Sequence, residues 1–113
     1  MDMGSARAES WQDQTLASAA RERGLSRLLI AYVSTGLLFM LIPGTLIGFW
    51  NLMSISSAHS ADAAQAGWVQ AHGHAQVFGW IGSFILGIGF YSIPKLRRLP
   101  RFPLSIGWTC WLL

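Results

Sequence analysis

The fold is decided by residues 28–50, which read LLIAYVSTGLLFMLIPGTLIGFW and contain no charged side chain. A helix of these 23 residues is about 35 Å long, and the hydrocarbon core of a bilayer is about 30 Å thick. We therefore predict a first transmembrane helix over residues 28–50. Pro43 is expected to kink this helix, and neighbouring helices must then satisfy the carbonyl that loses its N–H donor.

A second apolar run covers residues 72–94, HGHAQVFGWIGSFILGIGFYSIP, and its charge-free core from Ala75 to Ile93 has 19 residues. That core is long enough to cross a bilayer, so we predict a second transmembrane helix over residues 72–94. Gln76 lies about one turn inside it and is expected to face protein or a cofactor rather than lipid. Small residues spaced four apart give each span a narrow face for close helix packing. These residues are Gly44 and Gly48 in the first span, and Gly79, Ser83 and Gly87 in the second.

The remaining segments complete an all-α, polytopic transmembrane arrangement. Residues 1–27 are predicted to be a polar tail, disordered to about Thr15, with a short amphipathic surface helix over 16–27. Residues 51–71 are predicted to be a loop with some helix near its end, and residues 95–102 a basic turn. The apolar run 103–113, PLSIGWTCWLL, is too short to cross a bilayer. We interpret it as the start of a third helix, and the chain as the N-terminal part of a larger helical bundle. Reading the gene beyond the codon for Leu113 tests that interpretation.

The charges support membrane insertion and give an orientation. The chain is 52% hydrophobic and 12% charged, whereas soluble domains carry about 25% charged residues. Its net charge of +3 does not indicate nucleic-acid binding, because the basic residues flank the apolar runs. Four lie in the tail, four lie in the 95–102 turn and none lies in the 51–71 loop. The positive-inside rule therefore predicts a multi-pass protein of the cytoplasmic (inner) membrane, with the N-terminus and the basic turn in the cytoplasm. Its expected partners are lipid and other transmembrane helices, of the same chain or of a partner.

The residues that could carry chemistry are His72 and His74, at the start of the second span. Neutral imidazole is a common axial ligand of haem iron. Positions two apart on a helix diverge by about 200°, so these two rings cannot easily share one ion. One could bind a haem iron while the other faces a neighbour or a propionate; both could equally be interfacial polar residues. His59 is expected to be a solvated loop residue. No catalytic triad, phosphate-binding glycine loop or cysteine cluster is present, and Cys110 is interpreted as a small buried hydrophobe.

Residues 72–96, HGHAQVFGWIGSFILGIGFYSIPKL, resemble the second span of catalytic subunit I in the haem–copper oxidases. They also resemble NnrS-type membrane proteins, which are haem- and copper-containing relatives. In the oxidases this span begins with a His, often His-Gly, near the outer face and ends in Leu-Pro or Ile-Pro before a cytoplasmic turn. Here His72-Gly73 and Ile93-Pro94 match those two ends.

The resemblance implies that His72 corresponds to an axial ligand of the low-spin haem. His74 is the competing choice, because NnrS-like sequences carry a similar His-x-His. Copper and the other haem ligands of these families belong to later spans, so copper is expected only in a C-terminal part outside these residues. The chain alone is not expected to be catalytic, although a full-length relative would be oxidoreductase-like.

Three functional hypotheses follow. The first is the N-terminal part of a haem-binding membrane protein in respiratory electron transfer or nitric-oxide-related metabolism. The alternative is a small non-enzymatic membrane protein that binds a larger membrane partner through its glycine-rich helix faces. A third is a fragment of a metal transporter in which the histidine pair and His59 bind the ion at the outer face.

Overall fold

The computed structural model describes residues 3–97, 99 and 102–113, and these residues form helices and short connections without any strand. The all-α prediction is therefore confirmed for the part of the chain that is described. The elements, in chain order, are α1 (Met3–Phe39), the π-helical segment π1 (Met40–Thr45), α2 (Leu46–Ala58), a 3₁₀ turn (Ala61–Ala63), α3 (Ala66–His74), the π-helical segment π2 (Ala75–Gly82), α4 (Ser83–Leu96) and α5 (Leu104–Leu112).

Two long helices pack side by side as a hairpin. The first long helix comprises α1, π1 and α2, and the second comprises α3, π2 and α4. They pack with α2 on α3, π1 on π2 and α1 on α4, which gives an elongated molecule of 85 × 21 × 17 Å. Both helices are long and apolar enough to cross a membrane.

The predicted disordered tail is wrong for the residues that the structure describes, because α1 begins at Met3. Residues 3–27 contain five alanines and no proline, a composition with high helix propensity. Three hydroxyl groups of this segment also bond within the helix. Ser10, Thr15 and Ser18 each donate to the carbonyl three residues earlier, over 2.7–2.8 Å. The tail is therefore a helical extension of the first span rather than a separate short surface helix.

The connection between the two long helices is shorter than the predicted loop of residues 51–71. The first long helix continues to Ala58, because residues 51–58 contain neither glycine nor proline. His59 then ends it in the left-handed conformation, with φ at 51°. The Ser60 side chain accepts a hydrogen bond from the Asp62 N–H, which starts the 3₁₀ turn. The second long helix begins at Ala66, so the helix predicted near the end of the loop is present.

Pro43, at which a kink is expected, lies within the π-helical segment π1. Proline has no N–H to donate, so the regular hydrogen-bond ladder is interrupted at this position. Within this segment the Thr45 hydroxyl donates to the Met40 carbonyl over 2.9 Å. Segments of π-helix inside α-helices occur frequently at functional sites. Here π1 packs against π2, next to the predicted histidine site.

A small core lies where α1, α4 and α5 meet. Leu25, Leu28 and Tyr32 of α1 are each at most 3% exposed. The buried Tyr32 hydroxyl donates to the Gly107 carbonyl over 3.0 Å, and the Trp111 indole N–H donates to the Thr35 hydroxyl over 2.9 Å. These two bonds fix α5 against α1.

Within the basic turn, Lys95 and Arg97 are described, whereas Arg98 and Arg101 lie outside the described residues.

Candidate functional site

His72 is half-buried between the two long helices and is bonded across them. Its Nδ1 atom lies 2.9 Å from the carbonyl oxygen of Gly44 in π1. A carbonyl oxygen can only accept, so Nδ1 must carry the hydrogen in this bond. In a neutral imidazole the lone pair is then on Nε2, the atom left for a ligand. Metal-binding histidines characteristically donate their other ring N–H to a carbonyl or carboxylate in this way.

Two glycines of the first long helix make room for this arrangement. A Cβ atom at Gly48 would lie 2.8 Å from Cε1 of His72, and one at Gly44 would lie 2.6 Å from the Gln76 amide nitrogen. Any side chain at either position would therefore displace the group opposite it. Gln76 is half-buried and faces the first long helix, as expected for a polar residue one turn inside an apolar run.

An apolar cavity of about 580 Å³ opens beside His72. Its volume lies within the range of roughly 300–1,000 Å³ that is typical of small-molecule sites. Phe49, Leu52, Ile55 and Val69 provide its apolar wall, and the polar groups belong to Thr45, Asn51, His72 and Gln76. One imidazole at the edge of a largely apolar cavity suits a largely hydrophobic cofactor with one coordinating centre. These residues are compatible with a haem, whose iron Nε2 of His72 would bind.

His74 faces the opposite side of the second long helix. Its Nδ1 atom lies 2.9 Å from the carbonyl oxygen of Gln70 one turn earlier, and its ring stacks on Phe78 with centroids 5.4 Å apart. It lines a separate cavity of about 760 Å³ together with Thr35 and Trp111. The two rings therefore line different cavities, because side chains two positions apart on a helix point in different directions. His74 also has Nε2 free, but its ring is exposed and its bond lies within its own helix.

The hypothesis of a metal transporter requires a cluster of metal ligands. Among the described residues, no group of three or more His, Cys, Asp or Glu side chains could hold a metal ion. His59 is exposed at the end of the first long helix. The exposed thiol of Cys110 lines the cavity of His74 rather than that of His72, so the expectation that Cys110 is buried is wrong.

The small-residue faces lie between the helices of this chain. A Cβ atom at Gly79 would lie 2.8 Å from Cβ of Phe39, and one at Gly87 would lie 2.7 Å from Cβ of Tyr32. Ser83 lies between these two glycines along the same helix and lines the cavity of His74. The sequence analysis did not single out Gly36, which packs on Phe84 in the same way. Its position eight residues before Gly44 is the signal that could have identified it.

A polar cluster fixes the other end of the hairpin. Lys95 Nζ lies 2.5 Å from a carboxylate oxygen of Glu22 and 2.8 Å from the Tyr91 hydroxyl, which itself donates to Glu22 over 3.2 Å. The hydrogen bond from the Lys95 ammonium group lowers the pKa of Glu22 below its usual 4.5. The same bond raises the pKa of Lys95 above its usual 10.5. Both side chains are about half exposed, so the pair contributes little stability in water.

The Glu22 pair predicts a small pH effect of known sign. Because the pKa of Glu22 is lowered by folding, its contribution is fully present above about pH 4.5 and is lost as the pH falls through the lowered value. Between pH 6 and pH 3, the thermal unfolding midpoint in detergent should therefore fall more for the wild type than for Glu22→Gln. Equal falls for the two proteins would show that the pair does not contribute.

Comparisons of the chain with protein-family models, with curated proteins and with solved structures find no match.

Proposed function

We propose that the chain is an integral membrane protein whose two long helices cross the bilayer. The observation that carries this proposal is the exposure of the apolar helices. Only 22% of the most apolar window of the first helix and 11% of that of the second are buried inside the molecule. A core helix of a soluble protein would be mostly buried. Large apolar side chains are more than half exposed, for example Leu38, Phe49, Phe78 and Ile85, at 55%, 62%, 69% and 66%.

The orientation has the N-terminus and the basic turn in the cytoplasm and the short connection outside. A reporter inserted within residues 56–65 is expected to be active only on the outer side, and the protein is expected to resist extraction by alkaline carbonate. The matched control is the same reporter at the N-terminus, which should report the cytoplasm. A cytoplasmic reporter at 56–65 would contradict the orientation, and extraction by carbonate would contradict insertion.

We further propose that the chain binds haem through Nε2 of His72, as the N-terminal part of a protein resembling haem–copper oxidase subunit I or NnrS. The bond from His72 Nδ1 to the Gly44 carbonyl carries this proposal, because it orients the ring and leaves Nε2 free beside an apolar cavity. Gly44 and Gly48 provide the space that the bond requires. Haem at this site would supply one-electron redox chemistry in respiratory electron transfer or nitric-oxide-related metabolism. The apolar surroundings and the hydrogen bond on His72 would tune its potential.

The test is a reduced-minus-oxidised absorbance spectrum of the protein extended to full length and purified after expression with a haem supply. A haem band is expected. Absence of the band, in protein that is shown to be membrane-inserted, would overturn the haem proposal and leave insertion intact. Retention of zinc or copper without haem would instead favour the metal-transport hypothesis.

The alternative, a small protein that binds a membrane partner through its glycine faces, requires those faces to be available. Here Gly44, Gly48, Gly79 and Gly87 are each contacted by a side chain of this same chain. This internal use of the glycines favours the haem-binding proposal over the alternative.

A further inference from the structure

A cavity of about 270 Å³, with a lining that is half polar and half apolar, lies at the end of the hairpin opposite the histidines. It is lined by Ser18, Arg21, Glu22, Leu25, Pro94 and Lys95. Leu25 and Pro94 are buried and mark the edge of the apolar packing. The cavity therefore lies at the boundary between the apolar part of the hairpin and its polar extension. In an inserted protein that boundary is the depth of the lipid headgroups.

The described segments that line this cavity are strongly positive. Residues 18–27 and 95–97 together contain five basic residues and one acid, a net charge of +4, whereas the whole chain has a net charge of +3. The remainder of the chain therefore has a net charge of −1. Clusters of four to eight basic residues at the cytoplasmic end of a transmembrane helix are typical of sites for anionic lipids.

Two cationic side chains line the cavity itself. The Arg21 guanidinium donates to the Leu99 carbonyl, which fixes the side chain beside Lys95. A guanidinium has five N–H donors in a planar fork, a geometry that matches phosphate oxygens. Lys95 forms a salt bridge with Glu22, so the Glu22 carboxylate competes with any anion that enters the cavity.

We propose that this cavity binds the phosphate headgroup of an anionic phospholipid, with Arg21 as its main ligand and Lys95 as the second. The apolar floor formed by Leu25 and Pro94 suits a headgroup that continues into acyl chains. The proposal rests on the membrane insertion proposed above but not on haem binding.

The test measures which lipid remains with the purified protein. Protein in mixed micelles containing equal amounts of phosphatidylglycerol and phosphatidylcholine is repurified, and the two lipids that co-purify are quantified. The wild type is expected to be enriched in phosphatidylglycerol. Arg21→Gln should lower the enrichment about fivefold, the factor that corresponds to about 1 kcal/mol per basic residue near an anionic surface. Glu22→Gln should raise it, because the competing carboxylate is removed.

Arg7→Gln is the matched control, since it removes the same charge from the same helix about 21 Å away. It should leave the enrichment unchanged. Arg21→Lys should retain most of it, which would separate loss of charge from loss of the bond to Leu99. Equal retention of the two lipids by the wild type, or equal loss in Arg7→Gln and Arg21→Gln, would overturn the proposal.

Displacement of the lipid by inorganic phosphate would identify a site for free phosphate instead. Failure of membrane insertion is recognised separately, by carbonate extraction.

Discussion

Replacing His72 by alanine is expected to abolish the haem absorbance band, whereas His74→Ala should retain it. His72 alone of the two is half-buried, bonded to the other long helix and placed beside the apolar cavity between the helices. An alanine at this position removes the only imidazole that lines that cavity. His74→Ala removes an exposed ring whose hydrogen bond lies within its own helix.

The measurement is the reduced-minus-oxidised spectrum per mole of protein, with His59→Ala as a control for a histidine at the exposed connection. Circular dichroism should show the same helix content in all three variants. Loss of the band in His74→Ala, with the band retained in His72→Ala, would transfer the ligand assignment to the opposite cavity.

The second large effect is a loss of stability, expected when the close packing between the two long helices is disturbed. Gly87→Leu should destabilise the hairpin strongly, because even the first side-chain atom would lie 2.7 Å from Cβ of Tyr32. The Cβ atom of Tyr32 is bonded directly to the backbone of α1 and cannot move away by itself. The two helices must therefore separate to accommodate a leucine at position 87. Overpacking of this kind costs about 1–3 kcal/mol, and loss of the buried Tyr32 contacts adds to it.

Gly89→Leu provides the matched control, two residues further along the same helix. A Cβ atom at Gly89 meets nothing closer than the tip of Ile93, at 4.0 Å. Unfolding of each variant in a titration with sodium dodecyl sulfate, followed by circular dichroism or tryptophan fluorescence, gives the two free energies. Equal destabilisation by the two leucines would show that α1 does not pack on Gly87 as described.

The positions of the long helices could be predicted from the sequence, because charge-free apolar runs have a direct physical meaning. The ends of these helices could not. Residues 3–15 and 51–58 lack the apolar periodicity that marks a helix, although neither segment contains proline. In both segments the helix continues the neighbouring apolar run, and each added residue contributes a further backbone hydrogen bond without the cost of a new nucleus.

The candidate site was predictable only as a pair of histidines. Their divergence follows from helical geometry, whereas the choice between them depends on the register of two helices far apart in sequence. The contact between His72 and Gly44 joins residues 28 positions apart. Pro43 was the available signal, since a proline indicates an altered backbone beside it. The bond from Tyr32 to Gly107, over 75 positions, had no signal in the sequence.

The most direct test of the central claim, that Nε2 of His72 binds haem iron, is nitrogen NMR of the ¹⁵N-histidine-labelled protein during a titration with haemin. The spectrum before addition should show His72 protonated on Nδ1, as its bond to the Gly44 carbonyl requires, with the signal assigned by its loss in His72→Gln. Haemin should broaden the His72 signals at one equivalent while those of His59 persist. An unchanged His72 signal at saturating haemin would contradict the account.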